Sequence, residues 1–207
     1  MTDFPIIFST PMVRALLEGR KTQTRRLAWR SIRKGERSAE GDRIVILEPG
    51  RFGGKAIHLK PTSWQKRKPG DRLWVRETLT CSGAMIQYVA DRHTSELVWP
   101  AHWKNDPRPS IHMPRWASRI TLLVTDVRRE RVQEISEEDA LAEGVGEPYL
   151  ADGDPPFEET ATMISSRRQF RALWSRLHGQ DAWEANPEVV VPTFQVHLGN
   201  IDSLNKE

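Results

Sequence analysis

Strand-length stretches of alternating apolar residues, cut apart by glycine and proline turns, recur through this 207-residue chain, whereas helical periodicity surfaces in only three short places. Arg72–Thr80, Met85–Ala90, Ile120–Val127, Val189–Val191 and Phe194–His197 read as strands, and Ile120, Leu122 and Val124 share one face. The Gly70-Asp71 turn launches the first of them, and Ser82-Gly83 joins it to the second as a hairpin. One helix is expected after Ser9 or Thr10, with Pro11 at its first position, Val13, Leu16 and Leu17 on its apolar face and Gly19 at its end. Another opens on Ser136, with Asp139 completing a capping-box-like start, and closes at Gly144. The third carries the stripe Phe170, Leu173, Trp174 and Leu177 before Gly179, with Trp174 in the core. Many short strands and few helices predict an α+β chain, a small β-barrel decorated by short α-helices.

The chemistry concentrates in Gly19–Arg26, where one amine, two threonine hydroxyls and three guanidinium groups follow the first helix. A lysine desolvated among cations loses its proton more readily and can then activate a hydroxyl. Arginine forks suit a phosphate or a developing oxyanion. Read as a strand, this segment puts Thr22, Thr24 and Arg26 on one face and Gln23 and Arg25 on the other. Lys21 then reaches Thr24 only from the preceding turn. A plain solvated lysine beside a β-forming threonine is the competing reading.

Four segments together, 5–27 (PIIFSTPMVRALLEGRKTQTRRL), 70–78 (GDRLWVRET), 109–122 (PSIHMPRWASRITL) and 135–145 (ISEEDALAEGV), with the strand near the C-terminus, resemble the ASCH family and its phage-type branch. The resemblance spans nearly the whole chain in family order. It implies a PUA-like β-barrel and one ASCH-like domain over 1–207, with insertions at about 28–69 and 146–163. One branch of that family consists of amidohydrolases that deacetylate N4-acetylcytidine with a lysine, a threonine and a glutamate. Lys21 and Thr24 stand at its K-T-x-T pattern and Glu143 at the glutamate of its helix, while Arg25 replaces its usual apolar residue. Other family members are implicated in RNA binding, and some look like ribonucleases. A modified cytosine nucleoside is therefore the expected partner, with an RNA-binding module or ribonuclease using the same basic cleft as the alternative.

Charge bears on that choice. Residues 28–70 hold eleven Lys/Arg against four Asp/Glu, whereas 132–166 hold ten acidic residues and no Lys or Arg. A basic face for phosphates and an acidic face turned elsewhere is one reading of this asymmetry, and an unevenly solvated surface is the other. Position adds to the case for Glu143, because the last turn of a helix disfavours a carboxylate and makes it a better proton donor. Its neighbours Glu137, Glu138 and Asp139 read as solvent-facing.

Arg26, Arg76 and Glu77 lie beside the motif turns and are candidates for holding substrate, with an Arg76–Glu77 structural ion pair as the alternative. Arg115 and Trp116 follow a Pro-rich loop at 100–115, and Trp116 is a better platform for a flat base than Trp74 or Tyr88. His112 can donate to a carbonyl or serve structurally. No HExxH, CxxC, zinc-deaminase pattern, P-loop or dinucleotide fingerprint is present, so neither a metal nor a nucleotide cofactor is expected. A single cysteine, Cys81, and no apolar run of membrane length suit a cytoplasmic protein with no membrane partner.

Overall fold

The computed structural model describes residues 2–32, 37, 39–46, 56–145 and 165–205. Its architecture is mixed α+β, mostly strands with three short helices. The strands are β1 (Asp3–Ile7), β2 (Arg26–Leu27), β3 (Trp29–Ser31), β4 (Arg43–Ile46), β5 (Ala56–Pro61), β6 (Arg72–Arg76), β7 (Leu79–Ser82), β8 (Met85–Tyr88), β9 (Thr94–Val98), β10 (Ile120–Arg131) and β11 (Glu188–Leu198). The helices are α1 (Thr10–Leu17), α2 (Glu137–Ala142) and α3 (Ser166–His178). No described helix is long and apolar enough to cross a membrane.

The main sheet runs β1-β6-β10-β11-β2, with β1 parallel to β6 and the other pairs antiparallel. Among the described residues backbone hydrogen bonds do not close it into a barrel, contrary to the sequence expectation. Its two edge strands are nevertheless tied by a side chain, since Arg26 Nη2 of β2 donates to the Ile7 carbonyl of β1 at 3.0 Å. Strand alternation explains what each face does. Phe4, Ile6, Leu73, Val75, Ile120, Leu122, Val124 and Phe194 point inward onto Met12, Val13 and Leu16 of α1. Asp3, Arg72 and Trp74 point outward, where the 110–117 loop and the chain beyond β11 cover them.

Two satellite sheets, β3-β5-β4 and β7-β8-β9, flank the main one. The basic segment thus contributes β3, β4 and β5, while 146–163 lies wholly outside the described residues. The expected strand Arg72–Thr80 is two strands in different sheets. The break falls at Glu77, whose amide faces Met113 Sδ and whose carboxylate turns to Arg119. On α3 the apolar stripe ends early: Phe170 and Trp174 are buried with Trp183 and Val189, but Leu177 is exposed.

Candidate active site

Helix α1 ends as Pro11 and Gly19 require, with Gly19 at φ +73° turning the chain back toward β11. The segment that follows is not a strand. Thr22 and Gln23 both donate their amides to the Ala142 carbonyl of α2, while Thr24 N donates to Pro192 O and Phe194 N donates to Thr22 O. Bonded on one side to a helix end and on the other to β11, residues 21–25 cannot keep strand parity. Lys21, Gln23, Thr24 and Arg25 are all buried and Thr22 alone is exposed.

Lys21 is 1% exposed and Glu143 4% exposed, and they meet directly. The Lys21 ammonium donates to the Glu143 carbonyl at 2.7 Å and to Glu143 Oε2 at 2.9 Å. Arg25 Nη1 donates to the other carboxylate oxygen, Oε1, at 3.1 Å. Burial pushes the Lys21 amine below its ordinary pKa; Glu143 pulls it back up, and Arg26 and Arg25 push it down again. Thr24 lies three residues on, and its hydroxyl has no hydrogen-bond partner among the described residues. No Lys21–Thr24 hydrogen bond is formed.

Gly144 makes the Lys21–Glu143 contact possible. It adopts φ +88°, and a Cβ there would lie 2.8 Å from Ala15 Cβ and 3.1 Å from Lys21 Cβ. Only glycine allows the end of α2 to approach α1 and Lys21 this closely. Ser136 caps α2 as expected, accepting from the Asp139 amide at 3.0 Å.

Asp139 overturns the solvent-facing reading. Its carboxylate accepts from Gln23 Nε2 (2.9 Å), Arg25 Nη2 (2.8 Å) and Arg128 Nη2 (2.6 Å), which hold it below the usual carboxylate range against the opposing effect of burial. Arg25, whose side chain is fully buried, also contacts Glu130 Oε1 at 2.6 Å. Gln23, Arg25, Glu130 and Asp139 thus frame Glu143, and sequence reasoning missed their role. The signal available was spacing: Asp139 and Glu143 are four apart on α2 and therefore share a helix face.

The remaining candidates separate. Arg26 stays beside the pair, its guanidinium lying over the rings of Phe8 (5.3 Å) and Trp64 (5.4 Å). Arg76 lies over Trp74 at 5.4 Å and donates to the Ile111 carbonyl. It is not the partner of Glu77, which takes a bidentate bond from Arg119 at 2.9 Å through each oxygen. Arg115 is tied to Asp3 and Asp202, on the face of the main sheet opposite α1. Trp116, half exposed, stacks on Trp103 at 5.8 Å. Tyr88 and Trp74 are buried, and His112 belongs to a short 3-10 turn. Arg115 and Trp116 therefore do not join Lys21, Thr24 and Glu143.

In comparisons with known proteins the chain matches no protein-family model, no curated protein and no solved structure.

Proposed function

We propose that this protein is a metal-independent amidohydrolase that removes the acyl group from N4-acylcytosine nucleosides, with an ASCH-type site on a PUA-like fold. The observation that carries the reading is the buried Lys21–Glu143 contact at 2.9 Å, with buried Thr24 three residues along the chain and its hydroxyl unbonded among the described residues. The single free Cys81 suits a reducing, cytoplasmic setting. The Arg26–Ile7 bond across the sheet edges supports a barrel-like arrangement.

The proton between Lys21 and Glu143 explains how such a site runs. Its shift from Nζ to Oε2 leaves an amine and a carboxylic acid without changing the net charge, and burial favours that neutral pair. The amine takes the Thr24 proton as Oγ1 attacks the acyl carbon. Collapse of the tetrahedral intermediate breaks the C–N4 bond, and Glu143 protonates the departing nitrogen. Water then attacks the threonyl ester and gives its proton to Glu143, while Lys21 returns the first proton to Thr24.

Incubation with N4-acetylcytidine should release cytidine and acetate, and Lys21→Ala, Thr24→Ala and Glu143→Ala should each suppress the release. Undiminished release by Thr24→Ala would remove the nucleophile from this scheme. The RNA-binding or ribonuclease alternative draws on Arg26 and Arg76, each with a buried Nε lacking a partner among the described residues. Against it, Arg25, Arg72, Arg115, Arg119 and Arg128 are already committed to carboxylates.

A further inference from the structure

Arg26 is a cation of this site that bonds directly to no described carboxylate, although the charge of Glu143 acts on it. Four cations, Lys21, Arg25, Arg26 and Arg128, face three carboxylates, Glu130, Asp139 and Glu143, and every contact among them leaves Arg26 out. Its guanidinium lies over two aromatic rings. One nitrogen, Nη2, donates to Ile7 O, and the Nε is buried without a partner among the described residues. A buried N–H left unpaired in a folded protein calls for an acceptor that the described residues do not supply. Lys21 Nζ and Arg26 approach the same Phe8 ring, at 5.2 Å and 5.3 Å, so the two cations stand no farther apart than the sum of those distances.

A half-buried guanidinium with one unpaired N–H, one aromatic ring away from the proposed reacting amine, suits an anion fixed to the substrate. In a cytosine nucleoside that anion is a phosphate. We infer that Arg26 docks a nucleotide phosphate, so that this site takes a phosphorylated N4-acylcytosine nucleoside in preference to the free nucleoside. The inference rests on the N4-acylcytosine reading. The phosphate can belong to a mononucleotide or to an RNA strand. An Arg26 that acts only on the oxyanion of the transition state is the competing role, and it leaves ground-state binding of a phosphate unchanged.

Calorimetric titration of the full chain with cytidine, 5′-CMP and a tetracytidylate strand tests this. Wild-type protein should bind 5′-CMP or the strand about tenfold or more tighter than cytidine, and added salt should erode that advantage. Arg26→Gln should abolish the difference, and Arg26→Lys, which keeps the charge but not the fork, should retain part of it. An advantage already complete with 5′-CMP points to a mononucleotide, and one confined to the strand points to RNA. Equal binding of cytidine and both phosphates by the wild type overturns the inference, as does failure of all three to bind, and neither depends on any variant folding. A phosphate advantage that survives in Arg26→Gln overturns it too. Because binding is measured, a protein that docks 5′-CMP through Arg26 yet leaves both N4-acetylcytidine and its 5′-phosphate intact counts against the hydrolase reading alone.

Discussion

The described residues include two buried glutamates, Glu77 and Glu143, and they are neutralised in different ways. Glu77 receives both of its bonds from one guanidinium, that of Arg119, which directs two further N–H groups at Asp91. Burial raises the Glu77 carboxyl, with Arg119 opposing. Glu143 divides its oxygens between a lysine and an arginine. An arginine does not surrender its proton in a protein, so the Glu77 cluster is chemically closed. A buried lysine does, so the Glu143 cluster can exchange a proton across its own salt bridge. Both clusters hold the fold together, and only one contains a transferable proton.

Activity should break the comparison most sharply. Lys21→Ala, Thr24→Ala and Glu143→Ala should each lower kcat/KM for N4-acetylcytidine by about 10²–10⁴-fold. Their combinations should be far from additive, because residues acting as one unit fail together. Thr24→Ser should keep part of the activity, and Thr22→Ala should be milder than either. Steady-state kinetics on variants with wild-type circular dichroism would settle these.

Stability should respond at the other glutamate. Arg119→Met strands Glu77 in the interior, and loss of one partner of a buried pair costs about 3–5 kcal/mol. Urea unfolding should show that loss, while turnover per folded molecule persists. A folded Arg119→Met protein that is catalytically dead would erase the distinction between the clusters.

Gly144→Ala should fall between the two. A left-handed non-glycine residue costs about 1–3 kcal/mol, and the new Cβ meets Ala15 and Lys21. Glu143 should be displaced from Lys21, so kcat should fall together with the melting temperature.

pH dependence sharpens the picture further. The folded pKa of Lys21 lies below its ordinary 10.5, so between the two values the unfolded chain binds more protons. Stability due to this group therefore rises with pH toward 10.5, and Lys21→Met should flatten that rise in denaturation curves taken at successive pH values. Arg25→Met removes a cation that holds the Lys21 amine down, so the rise of stability with pH should begin at higher pH. The smallest effect belongs to Trp116→Ala, which should change turnover by no more than about twofold; a larger loss would return Trp116 to the site.

Local devices were legible without coordinates. Pro11 and Gly19 bound α1, Ser136 caps α2, Gly144 ends it, and Ile120, Leu122 and Val124 share a buried face. Each depends on steric and hydrogen-bonding preferences that act within a turn or two of the chain. The contact of Lys21 with Glu143 was anticipated only through the family resemblance. The parity of residues 21–25 was misread because Ala142 and Pro192, both distant in sequence, supply their hydrogen-bond partners. Likewise nothing local could tell that Glu77 would face Arg119 rather than Arg76, or that Asp139 would bind Arg25 and Arg128. Sequence by itself determined where elements start, stop and turn, since those choices are made by neighbours. Which charge neutralises which was decided by the tertiary structure, because a buried charge takes whatever partner the packing brings within hydrogen-bond reach.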